Sequence, residues 1–396
     1  MESGTNGVSM TEITYERASS QVFTLSEAIS YLKQNANLRT VKESLARYCG
    51  ISVTDEAALK KRILELLLQS EPDGKRDSME RKIRTWMKDD VQYLGKKAVI
   101  QLAYSLGQTV EEADQMLVHL TGERFHWRDP EDIVWGFGLN NRLSFEQAKA
   151  LSTRLLGKNG TARKPSEQEA VMTAMVKKQA LQLHTEAELE LFLRNNWAEL
   201  GKFHNTAYGL FIDFLNVLGL PDAKDFLPSD REMTVKEIVS TYLYKAYIPK
   251  ANGLGNKQDE IENNMASAIQ RDIRQNWPDE IALSRMAHRE TDVTRKVLIL
   301  LFLACDGGES EYADYSDESL EDIFQDMNTR LSCMLNDCGF APLDARSPFD
   351  WMVLYCMCAD ESIFVDENVQ RFLSGIFADG SIVPDEAEEE AVPTLS

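Results

Sequence analysis

The sequence has little of what marks a reaction centre. It has no Gly-rich phosphate loop ending in Gly-Lys-Ser/Thr, no His-Glu-x-x-His and no Gly-x-Ser-x-Gly. Gly253-Leu-Gly255 is a lone G-x-G with no strand before it, so it carries no nucleotide-binding weight. Long hydrophobic runs are also missing. The longest, residues 297–305 (VLILLFLAC), is closed by Arg295, Lys296 and Asp306 and is far below the roughly 20 residues of a membrane span. It reads as a buried helix. The N-terminal stretch lacks the basic and apolar regions of a secretory signal, which makes a cytoplasmic location the expectation and a membrane partner unexpected. Strand-like alternation is nearly absent.

What is present is helical periodicity, with apolar residues recurring at three and four positions almost throughout. The expected fold is all-α and multi-helical, in two or three helical domains including tandem hairpins. Leu25, Ile29 and Leu32, then Val41, Leu45 and Tyr48, mark two short helices; Ala58, Ile63, Leu66 and Leu67 mark a third. Residues 1–22 and 379–396 have too few apolar groups to offset their ordering entropy and are expected to be disordered tails. A linker composition at 158–168 divides a front domain, 23–157, from an acidic domain, 169–378, with a sub-boundary near 249–258.

Charge divides at the same place. Residues 1–158 hold 22 Lys/Arg and 22 Asp/Glu, and residues 159–396 hold 21 against 42, so the net −21 arises wholly in the rear part. A neutral front with basic clusters can approach a polyanion, whereas an acidic rear repels nucleic acid and suits a cationic protein surface.

Two internal similarities are visible. Residues 99–117 align with 134–152 at an offset of 35, each copy a helical hairpin whose second helix is capped by Thr109 or Ser144. A weaker match at an offset of 199 sets Met87 and Lys97 to Leu102 against Met286 and Lys296 to Leu301.

Residues 25–52 run helix, polar turn, short helix, then Ala46, Gly50, Ile51 and Ser52, and residues 83–117 place an apolar helix ending in Leu-Gly before a capped acidic helix. Together, residues 25–117 resemble Cro/C1-type helix-turn-helix domains. The sequence departs from that family by about thirty residues, 53–82, where the family has a tight turn, and by Glu56 at a position that is usually apolar. The resemblance implies a DNA-reading helix around Arg81, Lys82, Arg84 and Lys88. Lys60, Lys61, Arg62, Lys75, Arg76, Lys96 and Lys97 would be phosphate contacts. The plainer account is a set of solvated helix faces, since Asp77, Glu80, Asp89 and Asp90 interleave with the cations.

Four other clusters are candidates. Trp127 and Arg128 lie in residues 125–130 (FHWRDP), either a recognition corner or an aromatic wedge between hairpins, with Asp129 capping a helix that Pro130 begins. His204 and Tyr208, spaced i to i+4, can share a hydrogen bond and transfer a proton, or form a satisfied buried pair. Cys305, Cys333, Cys338, Cys356 and Cys358 invite a metal, but Cys356 and Cys358 point apart on one helix, and buried free thiols are the better account. Trp351, Met352, Leu354 and Tyr355 offer a helix face for docking or self-association. Neither cofactor nor metal is expected, and a small-molecule substrate is disfavoured. The sequence favours a non-enzymatic helical protein that binds a protein partner. The alternatives are a DNA-binding regulator acting through residues 23–157 and an enzyme built on His204 and Tyr208.

Overall fold

The computed structural model describes residues 24–34, 40–88, 93–157, 173–197, 200–201, 203–219, 233–244, 248, 265–309, 320–358 and 365–377. The expected tails, the 158–168 linker and the 249–258 sub-boundary lie outside them. Among the described residues there are eighteen helices and no strand. In chain order they are α1 (Leu25–Gln34), α2 (Val41–Cys49), α3 (Glu56–Ser70), α4 (Arg76–Trp86), α5 (Lys96–Ser105), α6 (Val110–Thr121), α7 (Pro130–Asn140), α8 (Phe145–Leu156) and α9 (Thr173–Ala180). They continue as α10 (Glu186–Asn196), α11 (Asn205–Gly219), α12 (Val235–Tyr242), α13 (Met265–Arg274), α14 (Glu280–Ala287), α15 (Arg295–Glu309), α16 (Leu320–Asp337), α17 (Pro348–Cys358) and α18 (Val365–Phe377). None is long and apolar enough to cross a membrane.

The start signals work as the sequence suggests. Thr109 and Ser144 form capping boxes with Glu112 and Gln147, and Asp129 caps α7 with Pro130 in its first turn. Residues 297–304, inside α15, are buried throughout.

Burial divides the helices between two apolar cores. The front core takes α2 to α10, from Val41 to Leu200. The rear core takes α11 to α18 together with α1, which enters through Ala28, Ile29 and Leu32 and packs on α13 and α18. This differs from the expected division at 158–168. Helices α9 and α10 join the front core through Val176, Ala180, Leu189, Phe192 and Leu193, so the crossover falls between Leu200 and Ala207. An amphipathic stripe fixes which face a helix buries, not the core that receives it. For the same reason the two helices resembling a helix-turn-helix start part company: α1 joins the rear core and α2 packs on α3 and α6.

The two cores are built alike. Helices α5 to α8 pack in the order α5·α6, α6·α7, α7·α8 and α5·α8, and helices α15 to α18 repeat all four contacts. A 15-residue helix precedes each unit and packs on its first helix, α3 on α5 and α11 on α15. The third helix is 11 residues long in both, entered by Arg128-Asp-Pro130-Glu-Asp132 in one and Arg346-Ser-Pro348-Phe-Asp350 in the other. The weak alignment of Lys97–Leu102 with Lys296–Leu301 is thus one strip of a repeated four-helix unit.

Candidate functional site

The turn before each third helix is closed by the same bonds. In the front unit the Asp132 carboxylate accepts from the His126 N–H at 2.7 Å and from Lys96 Nζ at 2.5 Å, while Lys96 also donates to the Arg124 carbonyl at 3.0 Å. In the rear unit Asp350 accepts from the Asp344 N–H at 2.8 Å and from both terminal nitrogens of Arg295 at 2.8 Å. Arg295 also donates to the carbonyls of Ala341 at 2.8 Å and Pro342 at 3.0 Å. Each carboxylate binds an N–H of the turn and a cation from the first helix of its unit. His126 in the front therefore corresponds to Asp344 in the rear.

Between the two units opens a cleft of about 730 Å³. Tyr93, Lys96, Glu123, Arg124, His126 and Asp129 line its front wall; His204, Asp272, Asp292, Arg295, Lys296 and Asp350 are on the rear wall. Most of its cations are already engaged. Beyond the two cradles, Arg124 donates to Asp114 at 3.1 Å. Lys296 donates to the carbonyls of Asp272 (3.2 Å), Ile273 (3.0 Å) and Gln275 (2.7 Å) at the end of α13, where a cation suits the helix dipole. Burial lowers the Lys296 ammonium to about 8 against the pull of Asp272 and Asp350. It raises the Asp272 and Asp132 carboxyls to about 6, against the opposing pull of Lys296 and Lys96. The Tyr93 ring is partly exposed, but its phenol lies among Asp272, Asp350 and Ser347, and burial with the two carboxylates raises it to about 12.

Two histidines meet at the cleft. The imidazoles of His126 and His204 stack with centroids 3.8 Å apart and planes 15° from parallel. Asp292 fixes His204 from behind, accepting its backbone N–H at 2.9 Å and contacting Nδ1 at 2.6 Å. That arrangement puts a proton on Nδ1 and leaves Nε2 as the open position. His126 is 7% exposed, and no described group bonds its ring nitrogens. Burial, then His204, Lys96 and Arg128, hold its basicity well below the usual imidazole value, so the ring is neutral.

The sequence candidates fall unevenly around this cleft. His204 lines it, but His204 and Tyr208 do not bond one another: Tyr208 donates to the Ala287 carbonyl at 2.9 Å beneath the Arg289 guanidinium, 4.1 Å from its ring. The orienting acid is Asp292, 88 residues along the chain from His204, where no local spacing could reveal it. Trp127 and Arg128 are both buried; Trp127 lies against Gly136 and near Phe125. Trp351, Met352, Leu354 and Tyr355 are core residues rather than a docking face, with Trp351 stacked on Tyr355 at 5.7 Å and both beside Phe372. A helix apolar on every side is buried on every side. Cys338 and Cys356 are buried, Cys305 is half-buried and Cys333 is exposed; the Cys358 side chain lies outside the described residues.

Of the basic residues, Lys96 is taken from the phosphate-contact set by its bond to Asp132. Lys60 pairs with Glu56, and Arg62 lies 3.9 Å from Glu65. Arg76 pairs with Glu80 at 2.9 Å. Lys61, Lys75, Arg81, Lys82, Arg84, Lys88 and Lys97 are exposed.

No family model, curated protein or solved structure matches the chain. The fold and the cleft define a protein of two similar helical units with a polar seam between them.

Proposed function

We propose that the protein is a non-enzymatic binding protein that receives a basic segment of a protein partner in the cleft between its helical units. The single observation that supports this is His126: a buried neutral imidazole with an unbonded ring, at the wall of a cleft whose neighbouring cations are occupied. An imidazole at the cleft wall whose ring is bonded by no described group can accept a hydrogen bond from a donor on a partner. The charge of the cleft sets the sign of the partner. Its carboxylates, Glu123, Asp129, Asp272, Asp292, Asp344 and Asp350, outnumber Lys96, Arg124, Arg295 and Lys296. The chain as a whole carries −21.

Fluorescence anisotropy with short labelled peptides tests this. A Lys/Arg-rich peptide binds the whole protein and an Asp/Glu-rich one does not; Glu123→Lys and His126→Ala each weaken binding by about tenfold. Equal binding of both peptides, or of neither, contradicts it.

A second reading is DNA binding through α4, favoured by one observation: Arg81, Lys82 and Arg84 stand exposed on that helix, with Lys75 and Lys88 exposed at its ends. It requires duplex binding that weakens steeply between about 50 mM and about 200 mM salt and is reduced by Arg84→Ala. Absence of binding at low salt removes it.

A further inference from the structure

His126 and His204 belong to different halves of the molecule, and the place where they meet is where the chain crosses between cores. Gly201 donates to the Arg128 carbonyl at 2.9 Å, and three residues later His204 lies flat on His126. From there the chain enters α11 and the rear core. The stack thus joins the turn ahead of α7 to the entrance of the rear unit.

Charge around the stack is arranged against a proton on His126. Lys96 on α5 and Arg128 on the same turn bring positive charge toward His126. Asp132 on α7 lies beneath it, but that carboxylate is already shared by the His126 N–H and Lys96. On the other face is His204, whose Nδ1 is held by Asp292 ahead of α15, with the Phe340 ring 4.7 Å from its centroid. An imidazolium at His126 would lie 3.8 Å from the His204 ring and close to Lys96 and Arg128, with the Asp132 carboxylate beneath it already shared and the Glu123 and Asp129 carboxylates elsewhere on the front wall of the cleft.

We infer that the His126–His204 stack is a proton-operated latch on the cleft: with His126 neutral it holds the halves together at this point, and a proton on His126 releases it. This rests on the cleft being the binding site, since release would open that site under mild acid. The sign follows from linkage. The closed form holds His126 neutral, while the opened form exposes it near its ordinary value of about 6.5 and so binds more protons, and closure weakens as pH falls. Each pH unit below that value multiplies the opening constant by about ten. Asp132 and Asp272 act in the opposite direction below about 6, where protonation relieves their burial. The latch is therefore read as a difference between wild type and His126→Phe, which keeps a flat ring on His204 and removes the proton site.

Amide hydrogen exchange on the whole protein, corrected for intrinsic rate, measures it at residues 122–132 and 203–208. From about pH 7.5 to about pH 5.5, opening there rises about tenfold in wild type relative to His126→Phe. Equal pH dependence in the two proteins overturns the latch. If His126→Phe does not fold, the wild-type imidazole proton resonances decide. With five histidines in the chain, one must titrate well below the usual value; titration of all five at or above it overturns the latch. No peptide enters either measurement, so the latch and the basic-segment reading fail separately.

Discussion

Arg295 holds Asp350 in a two-pronged grip, both contacts at 2.8 Å, and the pair occupies the position that Lys96 and Asp132 occupy in the other half. Both carboxylates are buried, and each ties the start of a third helix to the first helix of its unit. Arg295→Ala leaves Asp350 buried without its counter-ion and is expected to cost about 3–5 kcal/mol in denaturant unfolding. A loss below about 1 kcal/mol would show the grip to be incidental.

The correspondence also predicts a permitted exchange. Arg stands in the rear unit where Lys96 stands in the front, so Lys96→Arg keeps a cation and a carbonyl donor and should cost less than about 1.5 kcal/mol. Lys96→Ala should cost about 3 kcal/mol or more. Equal losses in thermal unfolding would mean that the two cradles are not equivalent.

Gly136 and Gly138 sit where α7 meets its neighbours most closely. A Cβ on Gly136 would fall 2.7 Å from the Trp127 ring, and one on Gly138 would strike the Tyr104 hydroxyl, which donates to the Trp135 carbonyl at 2.7 Å. Gly138→Ala is expected to destabilise by about 1–3 kcal/mol, although alanine normally favours a helix. An unchanged or raised melting temperature would show that the contact yields freely.

Asp272 gives a pH signature. Burial raises its carboxyl to about 6 from an ordinary 3.8, so the folded protein disfavours the ionised form. Its penalty is present above about pH 6 and disappears as pH falls toward 4. Asp272→Asn should therefore gain stability over wild type near pH 8, by up to about 3 kcal/mol, and lose that advantage near pH 4. A difference independent of pH would contradict the assignment.

Thiol reactivity should follow burial. Cys333 is exposed, while burial and Asp337 raise the Cys338 thiol to about 12 and Cys356 is enclosed. Alkylation of the native protein at about pH 8, followed by peptide mass spectrometry, should modify Cys333 and spare Cys338 and Cys356 until denaturant is added. Prompt modification of Cys338 would show a looser rear core.

Local chemistry was readable in the chain. Thr109, Ser144 and Asp129 each cap the helix that their spacing predicts, and the apolar run in α15 is buried. Long-range pairing was not. Nothing near Leu32 states that α1 packs on α13 and α18, and Asp292 is too remote in sequence from His204 to form a motif with it. The repeat was half legible because its two signatures are differently spaced. The second helix is 12 residues in the front unit and 18 in the rear, so no single offset aligns both Lys96 with Arg295 and Asp132 with Asp350. Trp351 and Tyr355 lie in the core rather than on a docking face, and the sequence does not show which, because aromatics on a helix serve a core or an interface equally well and only burial distinguishes the two.

The proposed partner would bind at the seam between the repeated units. Site-specific photocrosslinking in cells tests it most directly, with the reactive residue placed either at Glu123 on the cleft or at exposed Leu191 on α10. The expected result is a discrete adduct from Glu123, mapped to a Lys/Arg-rich partner peptide and lost on His126→Ala, and none from Leu191. An adduct from Leu191 with none from Glu123 would contradict it.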